Sequence, residues 1–127
     1  MLRLIYSSHA KQEMSVQDLE QILAVSRARN ALVGITGLLM YRDGMFLQCL
    51  EGDETAVRNT YARILRDPRH HRALHLIEER VEQRSFPDWA MEFRRPDTPW
   101  DSSLLEGRQP PEAVLYSMQV EGSRPHA

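Results

Sequence analysis

Gln48 lies within the run Gly44-Met45-Phe46-Leu47-Gln48-Cys49-Leu50-Glu51-Gly52. On a strand alternate side chains share a face, so Phe46, Gln48 and Leu50 point the same way. The Gln48 amide, with two donors and an acceptor, is thereby carried onto a surface that is otherwise apolar. Unpaired there it would cost roughly 1–3 kcal/mol, so backbone or a ligand must meet it. Other hydrogen-bonding side chains fall at spacings that aim them toward the same place. Tyr6 lies on an N-terminal strand, and Ile22, Ser26 and Asn30 step by four along a helix, whose face turns polar toward its C-terminal end. Arg63 and Asp67 repeat that spacing at the end of a second helix. Singly, each has an ordinary explanation, such as a surface ion pair or a Tyr hydroxyl at the wet edge of a core. Together they would line a slot between two helices and a sheet, suited to a flat heteroaromatic ligand.

Other chemistries find little support. No Gly-x-Gly-x-x-Gly turn opens a helix, and Gly34-Ile35-Thr36-Gly37 is too short for a phosphate loop. His70 and His71 are adjacent, a poor spacing for two ligands of one metal, so no metal is expected. Cys49 is the single cysteine, with no basic neighbour in sequence, and reads as a packed thiol in a reducing compartment. No nucleophile–base pair stands out. Sixteen basic against eighteen acidic residues, a net charge of −2, leave no nucleic-acid footprint. The opening Met1-Leu2-Arg3-Leu4-Ile5-Tyr6 turns polar too soon for a signal peptide, and no apolar run is long enough to span a bilayer. A cytoplasmic protein without a membrane partner is the expectation.

The elements that must position these side chains follow from periodicity. Leu2–Ser7 reads as a strand with Leu2, Leu4 and Tyr6 on one face. Ser15 is placed to cap a helix running to about Asn30, with Val16, Leu19, Ile22 and Leu23 as its buried stripe. Val33–Tyr41 and Met45–Glu51 read as strands joined at Arg42-Asp43-Gly44, a hairpin signal, with Gly34 and Gly37 interrupting the first. Asp53 caps a second helix through Asp67, stopped by Pro68 and buried along Val57, Tyr61, Ile64 and Leu65. Ala73–Arg84 and Trp89–Phe93 are predicted as further strands, separated by the turn Phe86-Pro87-Asp88. The tail is expected to form two short helices, Trp100–Glu106 and Pro111–Val120. The order β-α-β-β-α-β-β predicts a ferredoxin-like α+β fold, a five-stranded mixed sheet with both helices on one face. Residues 1–95 form the expected domain and 96–127 a C-terminal extension. Its Trp100, Leu104, Leu105, Val114, Leu115 and Tyr116 are expected to cover the outer sheet face.

Several segments in order carry a family resemblance: Leu4-Ile5-Tyr6-Ser7-Ser8, Ser26-Arg27-Ala28-Arg29-Asn30, Gly34-Ile35-Thr36-Gly37-Leu38-Leu39, the run from Gly44 to Gly52, Asp67-Pro68-Arg69-His70, and Phe86-Pro87-Asp88-Trp89-Ala90-Met91. Over residues 2–94 the chain resembles the BLUF family, blue-light sensors using flavin. The resemblance implies a non-covalent flavin, usually FAD, with FMN or riboflavin as alternatives, inserted between the two helices. By position, Asn30 matches the asparagine on the pyrimidine edge of the ring, Gln48 the glutamine at N5 and O4, and Tyr6 the tyrosine bonded to it. Arg63, Asp67 and His70 match contacts to the ring edge or side chain, with Ile22, Phe46 and Ser26 packing nearby. Arg29 stands where relatives often carry Asn or His, and Glu92 where they often have a small residue.

The implied activity is a switch rather than a turnover. Tyr6 would act as a one-electron donor, and transient electron and proton movement would let the Gln48 amide rotate or tautomerise. The flavin would return to its starting redox state with a new hydrogen bond at O4 and a small red shift. Output would run through the last strand, where Trp89 and Met91 share a face by parity; spacing leaves open which points inward. The expected molecule is a stand-alone photoreceptor, not an enzyme, acting on an unidentified effector protein or through self-association as a homo-oligomer. The competing classes are a small ferredoxin-like enzyme and a flavin-free ligand-binding regulatory module.

Overall fold

The computed structural model describes residues 1–122. Its elements are β1 (Leu2–Ala10), α1 (Val16–Val33), β2 (Thr36–Arg42), β3 (Met45–Gly52), α2 (Glu54–Leu65), β4 (His70–Arg80), β5 (Glu92–Arg94), α3 (Ser102–Leu105) and α4 (Pro111–Gly122). The sheet order is β4-β1-β3-β2-β5. All neighbours are antiparallel except β5, which joins the edge of β2 in parallel. This is the predicted five-stranded mixed sheet of the ferredoxin-like class.

Strand parity divides the core into two layers. Leu2, Leu4 and Tyr6 of β1, Leu39 and Tyr41 of β2, and Phe46 and Leu50 of β3 pack with Leu19 and Leu23 of α1 and Val57 of α2. On the opposite face Ile5, Leu38, Met40, Leu47, Cys49 and Ile77 are covered by Leu104 and Leu105 of α3 and Val114 and Met118 of α4. Burying each such side chain contributes roughly 1.5–3 kcal/mol. Leu115 packs at the margin of that layer, whereas Tyr116 is 68% exposed and takes no part in the cover.

Local chemistry sets the boundaries. Ser15 and Asp18 form a reciprocal capping box at the start of α1, each side chain bonding the other's backbone N–H. Val16 lies outside the buried stripe and is 68% exposed. The helix runs on to Val33, past the expected Asn30, because Gly34 at φ 70° supplies a left-handed cap whose N–H donates to the Asn30 carbonyl. Gly34 is therefore a helix stop, and β2 begins at Thr36 rather than Val33. Gly37 does lie in the strand, where any Cβ would sit 1.9 Å from the Cys49 carbonyl oxygen. The β2–β3 hairpin turns on Asp43 and Gly44, both at positive φ.

Three other boundaries move. α2, capped by Asp53 on the Thr55 and Ala56 N–H groups, closes at Leu65, so Asp67 lies in the turn beyond it and Leu65 is half exposed. β1 continues to Ala10 because β4 starts at His70, where His70 and His71 pair with Ala10 and His9. β4 leaves the sheet at Arg80, and Arg84 instead reaches the Gly34 carbonyl, Thr36 Oγ1 and the Glu51 carbonyl at 2.7–2.8 Å. The last strand is shorter than expected: residues 89–91 lie outside it, and only Glu92–Arg94 pair with Leu38–Met40.

Candidate functional site

Tyr6 and Gln48 are direct cross-strand partners on adjacent central strands, and Leu39 faces Gln48 from the other side. The Tyr6 hydroxyl donates to Gln48 Oε1, and Gln48 Nε2 donates to Met91 Sδ at 3.4 Å. Both ends of the buried amide are thus engaged, one by a phenol and one by a weakly accepting thioether. Burial, then the neighbouring Tyr61 and Asp67, push the Tyr6 phenol well above the ordinary tyrosine range. Its ring centroid lies 5.2 Å from that of Tyr61.

Tyr6, Leu39 and Gln48 lie on the floor of a cleft between the two helices. One wall is α1, contributing Ile22, Val25, Ser26, Arg29 and Asn30; the other is the end of α2, with Thr60, Arg63 and Ile64. Phe46 and Leu50 complete the apolar floor, while Asp67, Arg69 and His70 close one end. The cleft and its open mouth together enclose about 860 Å³ of empty space, the solvent-open part included. His70 Nε2 lies 2.6 Å from the Ile64 carbonyl, which can only accept, so that nitrogen carries the proton and the ring is pinned to the last turn of α2. Arg69 chelates Asp67, and that hydrogen bonding holds the carboxyl below its usual range. Asn30 is only 2% exposed, and its Nδ2 donates to the Ala90 carbonyl at 2.8 Å.

The six slot residues expected from spacing (Tyr6, Ser26, Asn30, Gln48, Arg63 and Asp67) and the three that the family resemblance adds (Ile22, Phe46 and His70) all line this one cleft. Trp89 and Met91 behave differently from the parity expectation. Met91 is fully buried against Gln48, whereas Trp89 is 54% exposed and away from the cleft. Parity fails because the segment containing them is not strand. Leu39, Met14, Thr60 and Arg69 were not singled out for the cleft. Leu39 could have been found from its place opposite Gln48 in the hairpin, and Arg69 from its two-residue spacing to Asp67. No sequence signal marked Met14 or Thr60.

A family model for BLUF, described as sensors of blue-light using FAD, matches residues 1–92. Photoactivated adenylate cyclase subunit beta of Euglena longa is 38% identical over 89 residues, which is 69% of this chain and 10% of that protein. The blue light- and temperature-regulated antirepressor BluF of Escherichia coli K12 is 34% identical over 90 residues, 71% of this chain and 22% of that one. The chain thus spans about a tenth to a fifth of these curated relatives' length. Among solved structures, BlsA in its photo-activated state superposes with a TM-score of 0.86 at 29% identity, covering 99% of this chain and 97% of that one. The dark-state structure of BlrB, a BLUF protein, gives 0.72 at 30% identity, covering 94% and 81%. Within the described residues no helix is long and apolar enough to cross a membrane. With the matching motifs, sheet and family model all in agreement, the chain belongs to the BLUF family of flavin-binding blue-light sensors.

Proposed function

We propose that this chain binds FAD non-covalently in the cleft and works as a light-operated switch, not an enzyme, controlling a separate effector protein in the cytoplasm. The observation that carries this reading is the Tyr6–Gln48–Met91 chain of contacts, with Tyr6 and Gln48 on the cleft floor and Met91 buried against Gln48.

The donor set suits the group. Two carboxamides, Asn30 and Gln48, offer paired donors and acceptors to a heteroaromatic edge, while Ile22, Phe46 and Leu50 offer apolar surface to its faces. Arg29 and Arg63 at the cleft add positive charge suited to a phosphate-bearing side chain, which favours FAD or FMN over riboflavin. When bound, flavin supplies visible absorption and, once excited, a strong one-electron oxidant. Tyr6 holds its phenolic proton on Gln48 Oε1 within a dry site. Rotating the Gln48 amide exchanges its oxygen and nitrogen ends. The hydroxyl then accepts from Nε2 instead of donating, and Met91 Sδ loses its donor. Sulfur is a weak acceptor, so the bond given up on the Met91 side is a small one, which suits a bistable element. Met91 directly precedes β5, which gives the rearrangement a route to the sheet edge and a partner.

The test is a light-minus-dark visible spectrum of the purified chain. A yellow protein whose absorption shifts reversibly to the red is expected, with Gln48→Leu retaining flavin but losing the normal shift and Tyr6→Phe failing to form it. Asn30→Ala should weaken flavin retention by about tenfold, the worth of one good hydrogen bond. A colourless protein after reconstitution, or an unaltered photocycle in both switch variants, would overturn the reading.

A further inference from the structure

The segment carrying Trp89, Ala90 and Met91 lies outside any regular element, yet it has a definite seat. Three groups hold its backbone. Arg27 Nε donates to the Met91 carbonyl at 2.8 Å, Asn30 Nδ2 to the Ala90 carbonyl at 2.8 Å, and the Gly37 N–H to the Trp89 carbonyl at 3.4 Å. Arg27 and Asn30 are three apart on α1 and so present to the segment together. Arg27 makes a second contact, its guanidinium lying 6.0 Å from the centroid of the exposed Trp89 ring. One side chain therefore grips the backbone of the inward residue and the face of the outward one.

We infer that Arg27 is a positioning residue that seats Met91, rather than Trp89, beside Gln48. The physical problem it solves is one of register. Trp89 and Met91 are two residues apart on a segment outside the regular strands, and both are large and apolar. Trp89 is 54% exposed, so burial favours bringing the indole inward. A hydrogen bond at the Met91 carbonyl fixes which residue reaches the core, and the cation over the indole face favours keeping that ring at the surface. The role rests on the Gln48–Met91 contact of the proposed switch. It concerns the resting arrangement of the chain, however, and is read in the dark whether or not a photocycle follows.

The test uses the full chain labelled with 5-fluorotryptophan and methyl-¹³C methionine, followed by NMR in the dark. In the unmodified protein Trp89 should give one resonance with a large H₂O/D₂O solvent shift, assigned by its loss in Trp89→Phe. Met91 should give one protected methyl signal, assigned by its loss in Met91→Leu. Arg27→Leu retains part of the apolar stem, removes donor and charge and adds no labelled methionine, and the residue is exposed, so the fold survives. It is expected to move the balance between the two seatings by about tenfold, the combined worth of one hydrogen bond and one exposed cation–π contact. This should appear as a second, solvent-shielded Trp89 resonance with a matching second Met91 methyl signal. Arg27→Gln, which keeps an N–H donor without the charge, should give a smaller second population. Unchanged Trp89 and Met91 signals in Arg27→Leu would overturn the inference, as would a disturbed Trp89 with an unmoved Met91.

Discussion

The Tyr6 hydroxyl has its proton on Gln48 Oε1, and the residue is only 3% exposed. Burial first, then Tyr61 and Asp67, raise its pKa in the folded chain above the ordinary 10.0. The unfolded chain therefore releases this proton at a lower pH than the folded one. The stability it contributes is complete below 10.0 and is lost as pH rises from there toward the folded value. Urea unfolding between pH of about 9 and about 11 should thus show a steeper loss of stability in the wild type than in Tyr6→Phe. Tyr41 and Tyr61 are also raised, but they are common to both proteins and cancel in the comparison. Equal slopes would mean that Tyr6 ionises as freely in the fold as outside it. At this scale the sequence was most informative where residue type is at odds with surroundings: an amide in an apolar strand had to find a partner, and Gln48 finds Tyr6. It was least informative for Trp89 and Met91, since parity assigns faces only to residues on a strand and these two precede it.

Periodicity located every element, but side-chain and cap chemistry decided where each one ends. Gly34 could serve as a strand bulge or a helix stop, and only the helical hydrogen bond to Asn30 O selects the latter. The long connection from β4 to β5 was harder still, because the groups that hold it are distant in sequence. Its anchor is Glu51, fully buried at the end of β3. The carboxylate accepts from Arg3 Nε at 2.8 Å and from the Ser85 and Phe86 N–H groups at 2.8–2.9 Å. Arg3 in turn reaches Glu79 and Ser85 Oγ at 2.7 Å, so β1, β3, β4 and the connection meet at one ion cluster. Nothing in the alternation of β3 distinguishes this glutamate from a solvated one. Glu51→Ala should cost about 3–5 kcal/mol, since it leaves Arg3 buried with two backbone donors unpaired. Glu79→Ala removes a carboxylate that is 43% exposed and should cost under about 1 kcal/mol. Denaturant midpoints measure both, and a Glu51→Ala loss as small as that of Glu79→Ala would show the cluster to be incidental.

The sheet has the proposed switch on one face and the tail helices on the other, with single strand residues serving both. Tyr6 faces the cleft while Ser7 next to it turns outward and donates to the Leu105 carbonyl at 2.7 Å. Gln48 alternates in the same way with Cys49, whose thiol is buried in the opposite layer and pushed up by that burial. The extension after residue 95 thus shares the core of the domain before it. Its helices differ sharply between their faces: Met118 is fully buried against the sheet, whereas Tyr116, two residues earlier, is 68% exposed. Met118→Ala removes a core side chain from a filled layer and should cost about 2–5 kcal/mol, with the spread set by how far α4 can settle into the gap. Tyr116→Ala touches no packed surface and should fall within about 0.5 kcal/mol of the wild type. Were the tail a detachable docking peptide, both variants would unfold at the wild-type urea midpoint. A large loss confined to Met118→Ala would instead make α4 part of the cooperative unit, so that any partner engaging it meets an outer layer packed directly behind the strands of Tyr6 and Gln48.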